Sequence, residues 1–207
     1  MVHADLKIIC RETKPTDDLT ALEEISLACA KFNGAQYFSK EELQENVNYL
    51  EQRIADKKAH PEKYKPRKKN SPSYYTALVA EVDGKIVGYT VRHKLSETEK
   101  IVPEAKTELD AFYVHPEYQK KGVGFKLWQA TIEKLQQQGE TVMQLAVAAQ
   151  GPEDENGKRK PGNINAIQFY KRQGCLFLDK TRQFKSDTGL PESKICVQQC
   201  LLKRFDR

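Results

Sequence analysis

The apolar patterning of the chain predicts one mixed α/β domain spanning residues 1–207. Three observations carry that prediction. Period-two runs and helix-period runs interleave along the sequence, and glycine or proline marks most of the boundaries between them. A chain of 207 residues builds one sizeable core and is short for two. The elements read in the order strand, two helices, three strands, helix, strand, helix, two strands. That gives a mixed central sheet of about seven strands and four or so helices.

Leu6 to Arg11 forms the first run of strand character. Pro15-Thr16-Asp17-Asp18 then offers a helix start with Thr16 or Asp17 as the cap. Leu19, Leu22, Ile25, Cys29 and Phe32 recur at helical spacing, and Asn33-Gly34 ends that helix. Ser39 with Glu42 three residues later is a capping box, and Leu43, Val47, Leu50 and Ile54 supply the apolar stripe behind it. Lys57 to Ser73 carries Pro61, Pro66 and Pro72 and reads as a solvated helix end followed by a polar loop. A hairpin follows, Tyr75–Val82 and Lys85–His93 around Asp83-Gly84.

Thr107 to Val114 is the next strand, stopped by His115-Pro116. A helix from about Gly122 to Gln138 buries Leu127, Trp128, Thr131, Ile132 and Leu135, and Gly139 closes it. Val142 to Ala149 is again extended, and Gly151 to Gly162 reads as an exposed charged loop. Asn163 caps a last helix to Gln173, with Gly174 as its stop. Strands near Leu176–Phe184 and Lys194–Lys203 finish the chain.

Composition narrows the class. No apolar run approaches the ~20 residues that span a bilayer, and the N-terminal residues lack a secretory signal's apolar stretch. A soluble, cytoplasmic protein is expected. The five cysteines are odd in number and show no metal-ligand spacing, so they read as reduced packing thiols with no metal site. Cys196 and Cys200, on one strand face, would stand ~13 Å apart, too far to bridge. The net charge of +5 is mild. Its basic residues concentrate between Lys57 and Lys69 without aromatic interleaving, which makes a nucleic-acid role the weaker reading of that stretch.

The chemistry concentrates between Glu108 and Phe125. Here a strand meets a short glycine loop and then the first turn of an amphipathic helix. Helix N-termini present unpaired N–H groups and partial positive charge, and glycines at 122 and 124 clear side chains from them. Such a turn suits a pyrophosphate, with Lys120 and Lys121 adding charge at its edge. A Rossmann fingerprint is excluded because Leu127 stands where its third glycine belongs, and a P-loop because Phe125 follows Gly124.

Gln119-x-x-Gly122-x-Gly124 is similar to the signature of the GCN5-related N-acetyltransferases (the GNAT family). Phe112-Tyr113-Val114-His115-Pro116 resembles the end of that family's fourth strand. Asn163-Ile-Asn-Ala166-Ile167-Gln-Phe169-Tyr170 followed by Gly174 resembles its later block. The resemblance covers nearly the whole chain and is weakest between Gly34 and Ser73, where residues 34–73 read as an extended helix-and-loop insertion on the acceptor side. It implies a fourth and fifth strand that splay apart around the pantetheine arm of acetyl-CoA. Phe112, Tyr113 and Val114 would then line that arm, with Asn163 near it. The backbone from Lys120 through Lys121, Gly122, Val123 and Gly124 to Phe125, introduced by Gln119, would hold the pyrophosphate. Tyr170 would aim its hydroxyl at the thioester sulfur.

Transfer of an acyl group to an amine needs a base, an oxyanion donor and a proton for the thiolate. Glu108 occupies a position where several members of the family carry a catalytic glutamate, and Asp110 shares its face at period two. Either carboxylate can serve as the base, and Tyr170 as the acid. Bulky Phe112 and Tyr113 suggest a closed pocket suited to acetyl. The expected partners are a coenzyme A thioester and an amine, bound by Ala30–Asn48, the stretch to Ser73 and Ser186–Glu192. A coenzyme A-binding module without turnover and a nucleic-acid-associated transferase using 57–69 are the alternatives, and the edge strands leave a homodimer open.

Overall fold

The computed structural model describes residues 6–14, 17–36, 38–64, 76–183 and 197–205. Among the described residues eight strands form one sheet: β1 (Ile8–Glu12), β2 (Thr76–Val82), β3 (Lys85–Lys94), β4 (Thr107–Val114), β5 (Val142–Glu153), β6 (Arg159–Pro161), β7 (Leu176–Gln183) and β8 (Val197–Arg204). Their order is β1-β2-β3-β4-β5-β8-β7, with β6 paired to the far end of β5. All neighbours are antiparallel except β4 and β5. Among the same residues four α-helices cover it: α1 (Thr20–Asn33), α2 (Lys40–Ala59), α3 (Val123–Gln137) and α4 (Ile164–Arg172).

Alternation along the strands fixes the layers. Leu109, Met143, Leu145, Val147 and Leu201 point to the face covered by α3 and α4, where Trp128, Leu135 and Tyr170 meet them. Val79, Tyr89 and Ala111 point the other way, against Ile25 and Cys29 of α1. Leu109 and Ala111 are two residues apart yet on opposite faces. A β-bulge accounts for this: Val91 pairs with Ala111 and Arg92 with Leu109, so Asp110 is the extra residue of β4.

Local signals explain most boundaries. The Ser39–Glu42 capping box is present in both directions, at 2.9 and 3.0 Å. Asp83 and Gly84 both take positive φ, as the tight hairpin turn demands. Asn163 caps α4 by accepting from the Ala166 amide at 3.1 Å. Gly34 follows α1 for a different reason than a left-handed cap: its φ is −59°, and a Cβ there would lie 2.6 Å from the Leu43 side chain.

Several boundaries differ from those the sequence predicts. Helix α1 starts at Thr20, not at a Thr16 or Asp17 cap; Thr16 lies outside the described residues. Asp18 accepts from the Thr20 amide at 2.9 Å and from its hydroxyl, while Asp17 is drawn back to β1 by two bonds from Arg11. Phe32, expected on the buried stripe, is 65% exposed because the stripe rotates past it near the end of α1.

The polar loop expected from Lys57 begins later, since α2 runs to Ala59 and a 3-10 turn continues through Tyr64. Lys57 is only 9% exposed and pairs with Glu23 at 2.5 Å. It belongs to a ladder of ion pairs joining α2 to α1, with Arg53–Glu23, Lys58–Glu24 and Lys31–Glu51. The rest of the basic stretch, from residue 65, lies outside the described residues. Gly151 to Gly162 is not a wholly exposed loop either: β5 continues to Glu153 and turns into β6, with Gly151, Pro152 and Gly162 buried. A side chain at Gly162 would put its Cβ 2.1 Å from the Ala148 carbonyl oxygen, so only glycine passes there.

Candidate active site between the fourth and fifth strands

Strands β4 and β5 pair over only three positions, Thr107–Met143, Glu108–Gln144 and Leu109–Leu145. Beyond Leu109 they diverge, leaving the last part of β4 without a partner on that side. A cavity of about 470 Å³ opens in the gap. The splay deprives β4 carbonyls of ladder partners, and the Val114 carbonyl finds two substitutes. Gln119 Nε2 donates to it at 2.9 Å and Cys29 Sγ at 3.2 Å.

Gln119 therefore braces the loop between β4 and α3 against the strand end. Behind it, Lys120 has φ 59° and Gly122 φ 85°, so two left-handed residues turn the chain into α3. The amides of Val123, Gly124 and Phe125 have no intrahelical acceptor in such a first turn. Gly124 keeps their approach open: a Cβ there would meet nothing closer than Val114 at 3.7 Å and the rings of Phe112 and Phe169 at 3.9 Å.

Phe112, Tyr113, Val114, Gln119, Lys120, Gly122, Gly124, Phe125 and Asn163 all line this cavity. Lys121 and Val123 do not. Lys121 lies over the Tyr118 ring, and the Val123 side chain is fully buried in the core under α3. Phe112 and Tyr113 stand on opposite faces of β4. Phe112 packs with Trp128, Phe169 and Tyr170, whereas Tyr113 lies against Tyr89.

Sequence reasoning missed the second wall. Asn165, Ala166, Phe169 and Arg172 of α4, with Gln173 just after it, line the cavity with Tyr170, and Cys29 and Asn33 of α1 close it from the other side. The helical period from Asn163 would have found the α4 residues. Those of α1 arrive only by long-range packing.

Tyr170 lines the cavity and is otherwise buried. Burial holds its hydroxyl well above the ordinary tyrosine range, so it stays protonated at neutral pH. The Cys29 thiol is pushed up to about 12, again chiefly by burial, and remains a thiol.

Glu108 and Asp110 do not line the cavity; they lie on the face toward α1, next to the mouth of the splay. The Glu108 side chain is only 5% exposed and both of its oxygens are engaged. Arg182 Nη2 donates to Oε1 at 2.5 Å and Gln144 Nε2 to Oε2 at 2.7 Å. The Asp110 side chain is 31% exposed and accepts from His93 Nδ1 at 2.6 Å. Burial raises the Asp110 carboxyl above the usual carboxylate range, against the opposing pull of His93. Residues 186–192, expected to border the acceptor, lie outside the described residues. Among the described residues no cluster of His, Cys, Asp and Glu could hold a metal, and no helix is long and apolar enough to cross a membrane.

This architecture is similar to that of solved GNAT structures. One from Rhodopseudomonas palustris, described as a GCN5-related N-acetyltransferase, aligns with a TM-score of 0.60 at 17% identity, over 99% of each chain. A ribosomal-protein-alanine N-acetyltransferase from Brucella melitensis aligns at 0.57 and 20% identity, over 95% of this chain and 99% of its own. The PaiA N-acetyltransferase of Thermoplasma acidophilum, solved with coenzyme A, aligns at 0.54 and 16%, over 97% and 100%. No curated protein sequence matches the chain. The family model described as the acetyltransferase (GNAT) family matches residues 39–175, well over half of the sequence. The protein belongs to the GNAT family of acetyltransferases.

Proposed function

We propose that the protein is an acetyl-CoA-dependent N-acetyltransferase that moves an acetyl group to an amine by direct attack in a ternary complex. The observation that carries this reading is the cavity between splayed strands, floored by the open first turn of α3 and reached by the buried Tyr170 hydroxyl. Its residues fit a coenzyme A thioester. A pyrophosphate suits the amides of 123–125, since positive φ at Lys120 and Gly122 aims the turn and Gly124 leaves the space. Lys120 and Arg172 add positive charge at the lining. The PaiA relative was solved with coenzyme A, which supports the same assignment here.

In this reading the amine nitrogen attacks the thioester carbonyl carbon, the C–N bond forms and the C–S bond breaks. Tyr170, kept protonated by burial, donates to the departing thiolate. The amine's proton passes to Asp110, the more open of the two carboxylates and the one supported by His93. Glu108, with both oxygens engaged, acts as a positioning residue. Cys29, held as a thiol, forms no acyl intermediate.

The test is release of coenzyme A thiol from acetyl-CoA with a panel of amines, measured across pH for wild type, Asp110→Asn and Glu108→Gln. Amine-dependent release is expected, with an acid limb of kcat/KM that disappears in Asp110→Asn and persists in Glu108→Gln. Loss of that limb only in Glu108→Gln would transfer the base to Glu108. Tight binding of acetyl-CoA without release by any amine would replace the transferase reading with a binding module.

A further inference from the structure

The ion pair between Arg182 and Glu108 joins strands that are not neighbours. Arg182 is on β7 and Glu108 on β4, with β8 and β5 between them. The side chain crosses where those strands are small: Ala146 of β5 pairs with Cys200 of β8, and Cys200 lies within electrostatic reach of both charged groups. An arginine on a strand edge ordinarily extends into water. This one is laid across the sheet face and fixed at two points, Nη2 on Glu108 at 2.5 Å and Nε on Gln198 at 3.1 Å.

Its anchor is itself braced. Gln144, which holds the second Glu108 oxygen, donates to the Glu99 carbonyl at 3.0 Å and accepts from the Ile101 amide at 3.0 Å. A carboxylate fastened in this way holds the guanidinium in one orientation. Yet the Arg182 side chain is 46% exposed, and two of its five N–H donors are used by the described residues. A planar fork that is oriented, exposed and only partly used is the usual receptor for a carboxylate.

The neighbouring group on the same face is Asp110. It bonds to His93, the cross-strand neighbour of Glu108, and its own electrostatic environment includes both Glu108 and Arg182. A carboxylate beside an oriented guanidinium matches, in charge, a short molecule with an amine at one end and a carboxylate at the other. Lys180, also close to Cys200, adds positive charge on the Arg182 side.

We propose that the acceptor is an amine that also carries a carboxylate, an amino acid or a short peptide acid, with its amine at Asp110 and its carboxylate on Arg182. This inference rests on the transferase reading for its chemistry. Arg182 sets specificity and Glu108 positions it. A polyamine carries no carboxylate for Arg182 and leaves that fork unused.

The experiment compares matched acceptors: amino acids, their primary amides and the corresponding amines without the carboxylate, in thiol release from acetyl-CoA. Wild type is expected to favour the acid over the amide by at least tenfold in kcat/KM, through KM. Arg182→Gln should close that gap, lowering the acid far more than the amide, and Arg182→Lys should close it in part. Circular-dichroism melts confirm that each variant is folded.

A second measurement needs no turnover. N-acetylamino acids and their amides are titrated calorimetrically into protein saturated with coenzyme A, where the acid should bind more tightly in wild type only. Equal handling of acids and amides by wild type, or an equal loss for both in folded Arg182 variants, overturns the proposal and leaves the transferase reading standing. Arg182-dependent binding of acids with no acetylation of any amine sinks the transferase reading instead and keeps the carboxylate site.

Discussion

Gly124→Ala should make the protein slightly more stable and bind coenzyme A much less well. The two effects separate because the new methyl clashes with nothing in the protein. Its nearest neighbours would be Val114 at 3.7 Å and the rings of Phe112 and Phe169 at 3.9 Å, which is ordinary contact. Alanine also costs the unfolded chain less entropy in a helix, a gain of up to about 0.5–1 kcal/mol, taken here as about half because the site is in the first turn. A chain of this size gains about 0.5–2 °C in Tm from that.

On the ligand side the methyl enters the cavity lining beside Val114, Phe112 and Phe169, at the first turn of α3 where the pyrophosphate is proposed. Loss of one charge-assisted hydrogen bond, about 1.5–3 kcal/mol, weakens binding about 10- to 100-fold. Gly122→Ala is the companion with the opposite stability sign, since φ 85° costs alanine about 1–2 kcal/mol. Calorimetric titration of coenzyme A and thermal melts read both quantities. Unchanged affinity in Gly124→Ala, with the melt raised as expected, would refute the assignment of the pyrophosphate to this turn.

Three further outcomes follow from the same geometry. Tyr170→Phe should lower kcat by about 100-fold or more with little change in KM for acetyl-CoA, because a proton donor to the thiolate is lost while the ring's packing stays; steady-state rates check this. For Asp110, the raised carboxyl means the folded state holds a proton that the unfolded state releases. Its contribution to stability is therefore present below the ordinary aspartate range and lost as pH rises through the raised value. Asp110→Asn should melt higher than wild type at pH 8 and close to it at pH 4, while its activity falls. Asp17 runs the other way: Arg11 holds its carboxyl below the ordinary range. That stability is present at neutral pH and lost on acidification through the lowered value, so Asp17→Asn should flatten the acid side of the melting profile.

The difference between what the sequence disclosed and what it withheld is one of range. Ser39–Glu42, Asp83-Gly84, Gly122 and Asn163 act through bonds or dihedrals within a few residues, so their residue types announce them. The glycine loop followed for the same reason, whereas the splay of β4 from β5 was implied only by the resemblance to the family, and their parallel pairing was not read from the sequence. The Asp18–Thr20 bond was hidden because two adjacent aspartates offer the same local pattern, and only the pull of Arg11 on Asp17 separates them. Lys57 is buried by its pairing with Glu23 on another helix, which no local pattern records. Glu108 was readable as a carboxylate beside the cleft. Its engagement by an arginine three strands away, on β7, was not.

The most direct test of the central claim is a crystal structure of the protein with coenzyme A. The account predicts the pantetheine arm between β4 and β5 beyond Leu109, the pyrophosphate on the amides of Val123 to Phe125, and the sulfur beside the Tyr170 hydroxyl. Coenzyme A bound elsewhere on the sheet, or absent at saturating concentration, would contradict it.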